Sequence, residues 1–264
     1  MATAAVADPT FRLIPSRFPP IAAFETVSSA DDLAAVMELE GWTNDRLVEE
    51  RLARLPRDHW VYGSPNASIV MASFLHAAPT GLRFNGPELG AWYACEAINT
   101  AIIEISHHLR REAHRSGMRE MRSQYRTYTA TLDGRYEDIR GLQAARPNLY
   151  AAADYSASRV FGERIRRAGD GIVYDSLRHV GGVNVVAYRP RKIRNVTQRD
   201  HYELTVPIAD RIVVRRRRLE TGACINRQTT GSKPCGDAIA LVDRPAACPR
   251  LGTGLPGQHR RPRR

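Results

Sequence analysis

The side chains best suited to chemistry in this chain fall between positions 83 and 107. They are Arg83, Phe84, Asn85 and Gly86 in Gly81-LRFNG, Tyr93 in Trp92-YAC, and Glu104 with His107 in Ile102-IEISHH. A guanidinium offers a rigid fork of donors that fits phosphate or carboxylate bidentately, where lysine is a point charge. A phenol offers a flat ring and one hydroxyl. A carboxylate held in a dry site stabilises positive charge as it develops. Three such groups on three successive local elements make a candidate active site.

The elements that must position them follow from pattern and punctuation. Leu89-GAWYAC reads as a strand, and Glu96-AINTAIIEISHHLRREAHRSG as a long helix ended by Gly117, with a buried stripe through Ile98, Ile102, Ile105 and Leu109. Glu104 then lies two turns into that helix among isoleucines. Its ordinary reading is a polar position, solvated or paired with His107 or His108, and His107, His108 and His114 read as a solvated face. Phe11-RLIPSRFPP reads as a short strand that carries Arg12 and is broken by Pro15 and Pro19-Pro20. Residues 30–55 show helical spacing in two pieces divided by Gly41 and Trp42, and Ile69-VMASFLHA is apolar enough for helix or strand. Gln124-YRTYTATL alternates as a strand, with Asp133-Gly134 as turn material. Asn148-LYAAADYSASRVFGERIRRAGDG reads as a loop and helix, and Ile172-VYDSLR and Val183-NVVAYRP as strands. The fold class expected is α+β, with mixed small sheets and flanking helices.

Charge divides the chain unevenly. The formal net charge is +11, yet residues 1–188 carry 21 Lys+Arg and 22 Asp+Glu, while residues 189–264 carry 18 and 6. The excess therefore belongs to the end of the chain, where Arg215-RRR and His259-RRPRR occur without periodicity. Three regions are expected: an extension over 1–10, a folded domain over 11–210, and a basic tail over 211–264 that is disordered or divergent. Four consecutive arginines would contact nucleic acid through phosphates without sequence preference, and no nucleic-acid-binding motif accompanies them. The start lacks signal-peptide character and no run is long and apolar enough to span a bilayer, so a cytoplasmic protein without membrane contact is expected. Cys95, Cys224, Cys235 and Cys248 show no Cys-x-x-Cys spacing, so free thiols and no metal site are expected.

The block Leu82-RFNG…GAWYACEAINTAIIEISHH resembles the central motif of the RES-domain family, in which an Arg-aromatic-(Asn/Ser) turn precedes a tyrosine strand and a glutamate helix. Phe11-RLIPSRFPP resembles that family's opening arginine strand, Tyr155-SASR its serine-bearing helix start, and Asp170-GIVYDSLRHVGGVNVVAYRP its closing segment. The resemblance covers residues 11–190. It implies an ADP-ribosyltransferase-like fold and an enzyme that takes NAD⁺ as substrate, with no prosthetic group, acting as the toxin half of a toxin–antitoxin pair. Glu104, Arg12 and Tyr93 would then be catalytic, and Arg12, Arg83, Asn85, Tyr93 and Ser156 would bind NAD⁺. Ser158 and Ser176 stand in equally family-like contexts, and Asn85 serves a turn before Gly86 as readily as a ligand. Cleavage of the nicotinamide–ribose bond builds positive charge on the sugar, which Glu104 would meet. Arg12 and Arg83 would hold the pyrophosphate, and Tyr93 would lie on the nicotinamide with its hydroxyl free. A cognate antitoxin is the implied protein partner.

The acceptor of the ADP-ribosyl group, whether water, phosphate or protein, is left open by these residues. The alternative is a binding protein of the same fold whose catalysis is lost, its basic tail touching nucleic acid. Gly252-TGLPG matches a dinucleotide-binding glycine pattern in letters alone, since it contains Pro256 and has no preceding strand.

Overall fold

The computed structural model describes residues 2–18, 22–33, 35, 49–217 and 238–240. Its elements in chain order are β1 (Thr3–Ala4), β2 (Thr10–Pro15), α1 (Glu49–Ala53), α2 (Ala67–Leu75), β3 (Trp92–Cys95), α3 (Ile98–Ser116), β4 (Glu120–Leu132) and β5 (Tyr136–Asp138). There follow α4 (Ser156–Ala168), β6 (Gly171–Asp175), β7 (Val183–Ala187), β8 (Ile193–Pro207), β9 (Val213–Arg217) and β10 (Ala238–Ala240). The class is α+β, as expected. No helix among the described residues is long and apolar enough to cross a membrane.

All ten strands hydrogen-bond in one order, β1-β5-β6-β7-β3-β2-β4-β8-β9-β10. The small sheets expected from sequence are the two wings of this order, and they meet at a thin joint. β2 follows β4 over six residues, from Thr10 opposite Ala130 to Pro15 opposite Tyr125. β3 follows β7 over four, from Trp92 opposite Ala187 to Cys95 opposite Asn184. Between β2 and β3 there is one register pair, Phe11 with Cys95. Beyond that pair the two strands part.

Three apolar clusters hold the wings. α2 is buried nearly all round, with eight of its nine residues in the interior, and it packs with Phe24, Trp92 and Tyr128. That settles its ambiguous sequence as helix, because a run without a polar face carries no period to read. α3 lays its stripe on the long wing. Ile102 is buried with Leu13, Leu204 and Val206, and Ile98, Ile105 and Leu109 pack around them. Gly117 ends α3 at φ 66, the left-handed cap that glycine adopts without strain. The third cluster joins Phe84, Tyr150, Phe161 and Tyr174 under α4.

The long wing also moves the expected domain boundary. Ile212 and Val214 are buried in the cluster beneath α3, and β9 pairs with β8 from Thr205 opposite Val213 to His201 opposite Arg217. The folded unit therefore passes residue 210, because those apolar side chains complete its core. At the other end, Thr3 and Ala4 of the N-terminal extension pair with β5. Gly41, Trp42, Gly252-TGLPG and the cysteines at 224, 235 and 248 lie outside the described residues, as does most of the basic tail. Cys95 is a free, buried thiol.

Candidate active site

Where β2 and β3 part, the Arg12 guanidinium takes the place of a ladder bond. Its Nη1 donates to the Tyr93 carbonyl at 2.8 Å, and its plane lies 4.8 Å from the Trp92 ring centre. Burial pushes the Arg12 pKa down to about 10, so the group stays charged at neutral pH. A cavity of about 370 Å³ opens at this seam, bordered by Arg12, Arg83, Tyr93, Glu104, Arg178 and Asn184.

Glu104 reaches the cavity from α3 and is held from the short wing. Its Oε1 accepts from the Ser176 hydroxyl at 2.6 Å and from Asn184 Nδ2 at 2.7 Å. The Ser176 oxygen accepts the backbone N–H groups of Arg178 and His179, at 3.1 and 3.0 Å, which turns its own proton toward Glu104. Asn184 is fixed from its other end, where Oδ1 accepts from the Cys95 thiol at 3.1 Å. The carboxylate is thus oriented before any ligand arrives, and among the described residues Oε2 keeps no partner. Burial, then the Glu104 charge, raise the Cys95 pKa, so the thiol stays protonated as a donor.

Arg83 comes from the turn between α2 and β3. Its Nη1 donates to the carbonyls of Leu149 at 3.2 Å and Ala151 at 2.9 Å, and its guanidinium lies 4.5 Å from the Tyr155 ring centre. The turn is locked from several sides. Tyr93 Oη accepts from the Phe84 N–H at 3.0 Å and donates to Asn85 Oδ1 at 2.8 Å. The Phe84 carbonyl accepts from the Tyr188 hydroxyl at 2.8 Å, and the Gly86 N–H donates to Glu163 at 3.0 Å. Helix α4 crosses so closely that a Cβ on Gly162 would stand 2.0 Å from the Phe84 carbonyl oxygen, which is why a glycine is needed there.

Among the described residues Arg12, Arg83 and Arg178 have no carboxylate partner. Guanidiniums at a cavity wall that are not paired to a carboxylate leave donors suited to an anion. Facing them is a single, tightly oriented carboxylate.

The structure brings Arg12, Arg83, Tyr93 and Glu104 to this cavity, with Ser176 bonded to Glu104. It takes three candidates elsewhere. Asn85 is fully buried, its amide donating to the Gly86 and Leu89 carbonyls, so it shapes the turn. Ser156 donates to Asp154 Oδ2 at 3.0 Å on the exposed start of α4. Ser158 is buried and donates to the Tyr155 carbonyl at 3.2 Å. The free Tyr93 hydroxyl expected from sequence is also not found, since both of its roles go to the Arg83 turn, and burial raises its pKa.

Of the histidines expected on a solvated face, His107 is half-buried against the cavity, while His108 is exposed at its edge. Burial first, then the Arg178 charge, push His107 down to about 4, and partial desolvation at the cavity edge lowers the exposed His108 too. Both are neutral at physiological pH. His114 is exposed, as expected. Sequence reasoning missed Asn184 and Arg178. Asn184 had a signal, a polar residue interrupting Val183-NVVA, where an interior strand position must find a partner. Arg178 sits in a loop and carried none.

Comparison with known proteins agrees with the residues. The family model described as RES domain matches residues 51–207, a span containing Arg83, Tyr93, Glu104, Ser176 and Asn184, with Arg12 ahead of it. The chain is also similar to the uncharacterized protein y4oC of Sinorhizobium fredii (strain NBRC 101917 / NGR234). They are 28% identical over 203 residues, covering 75% of this chain and 83% of that protein.

Proposed function

This chain belongs to the RES domain family, and from that membership we propose that it is an NAD⁺-consuming enzyme, the toxin half of a toxin–antitoxin pair, which cleaves the nicotinamide–ribose bond. The observation that carries the reading is the doubly held Glu104 carboxylate across one cavity from guanidiniums that lack carboxylate partners.

The chemistry divides between those groups. When the bond from the ribose C1′ to the pyridinium nitrogen breaks, its electron pair leaves with nicotinamide, which departs neutral. C1′ becomes positive, sharing that charge with the ring oxygen. Glu104 stabilises this state, and because Ser176 and Asn184 already orient it, little reorganisation is needed as charge appears. Arg12 and Arg83 receive the pyrophosphate. Tyr93 contributes its ring and, through its hydroxyl, the position of the turn that carries Arg83. Ser176 acts as a positioning residue for the carboxylate. Attack on C1′ by water yields ADP-ribose and releases a proton, while phosphate or a protein side chain would give the corresponding ADP-ribosyl product.

In this reading the partner is an antitoxin that covers the cavity and keeps NAD⁺ out, and the compartment is the cytoplasm. The test is free nicotinamide released from NAD⁺ alone, with phosphate, and with a protein acceptor. Wild type should release it, and Glu104→Gln about 10²–10³-fold more slowly. No release by wild type above buffer under all three conditions would sink the enzyme and leave the binding protein of the same fold.

A further inference from the structure

A second cavity, also about 370 Å³, lies beneath α2 and shares Arg12 with the first. Its walls are mostly apolar, with Phe24, Ile69 and Ala72 among them. Arg126 reaches it from β4 and is 5% exposed. On the β2–β4 ladder Arg12 stands opposite Tyr128 and Ile14 opposite Arg126, so the two arginines are diagonal neighbours on one face. Like charges so placed repel, and burial sharpens the cost.

That cost is offset only in part, by the Trp92 ring beside Arg12 and by one carbonyl on each guanidinium. Among the described residues neither guanidinium has a carboxylate partner, and the Nε atoms of both are buried without a hydrogen bond. Arg126 Nη2 donates to the Phe18 carbonyl, and Arg12 Nη1 to that of Tyr93, so each keeps donor capacity. Glu25, beside Phe24, is occupied by the Ser68 N–H at 3.0 Å and the Ser68 hydroxyl at 2.6 Å. A buried cationic pair set in apolar walls matches one class of ligand.

We propose that this second cavity is a binding site for a small anion with an apolar body, its oxyanion head taken by Arg126 and Arg12 and its body lying against Phe24, Ile69 and Ala72. The site stands on its own geometry and does not rest on NAD⁺ cleavage. Its occupant would nevertheless touch the guanidinium that closes the seam of the first cavity, so the two cavities share a group.

The probe is 8-anilinonaphthalene-1-sulfonate, which joins an aromatic body to a sulfonate and fluoresces when it leaves water. Titration of the full chain should give a saturable, one-site rise in fluorescence. Ala72→Trp, at a half-buried position on α2 that fills the cavity, and Arg126→Met should each weaken the affinity at least 10-fold, with folding checked by circular dichroism. Should Arg126→Met fail to fold, Ala72→Trp decides the matter alone. The absence of a saturable rise in wild type, or equal affinity in Ala72→Trp, overturns the proposal. So does a response to Glu104→Gln without one to Ala72→Trp, which would put the anion in the first cavity.

Discussion

The two wings of the sheet are built for different tasks. In the long wing β4 and β8 run for 13 and 15 residues and pair along most of their length, over a core of Leu13, Tyr202, Leu204 and Val206. In the short wing β3, β6 and β7 have four or five residues each. Short strands bring their ends and loops to the seam, and both residues that hold Glu104 come from there, Ser176 just after β6 and Asn184 in β7. The long wing contributes the helix face under Glu104 and one guanidinium, Arg12. Regular pairing supplies stiffness, while interrupted pairing supplies polar groups at fixed positions.

Substitutions should separate these tasks. The largest effect belongs to Glu104→Gln, which should cut nicotinamide release by about 10²–10³-fold. The thermal midpoint should barely move, because the carboxamide oxygen still accepts from Ser176 and Asn184. Leu204→Ala, fully buried in the long wing, should cost about 2–5 kcal/mol of stability in urea unfolding, with turnover per folded molecule unchanged. A large fall in its specific activity would break that division between the wings.

Asn184→Ala removes one of the two donors on Glu104 and should lower kcat about 10-fold, in line with the worth of a hydrogen bond to a charged acceptor. KM for NAD⁺ should stay nearly constant, since Asn184 bonds the carboxylate and the proposed function gives the pyrophosphate to the arginines. A rise in KM with kcat preserved would make Asn184 a ligand contact instead. The smallest effect is the pH dependence of His107. Its folded pKa of about 4 lies below the ordinary 6.5, so between those values the unfolded chain binds the proton that the folded chain refuses. Stability should therefore decline as pH falls from 6.5 toward 4, and His107→Gln should flatten that slope in thermal melts.

Much of the scaffold was legible in the sequence because its cues are local. The stripe from Ile98 to Leu109 and the glycine at 117 specify α3 within one stretch of chain, and the family motif places Arg83, Tyr93 and Glu104 in order. What the sequence withheld depends on contacts between distant segments. Ser176 and Glu104 are 72 positions apart, and nothing near Ser156, Ser158 or Ser176 says which hydroxyl reaches the carboxylate. The Tyr93 hydroxyl turned inward for a similar reason, since the buried Arg83 turn required a donor and an acceptor. His107 looks solvated on a helical wheel, and only the loop after β6 shows that it is half-buried beside a cavity.

The joint at Phe11 and Cys95 has a consequence for how the molecule breathes. The β2–β3 ladder is one pair wide there, while the core of Trp92, Val173 and Val185 with Tyr128 and Ile193 ties the wings together, so amides at the joint should exchange faster than those inside either wing. That part of the border runs between Arg12 and Tyr93, so the weakest stretch of the ladder also borders the cavity at Glu104. An anion held by Arg12 there should slow exchange in the strands on both sides of it.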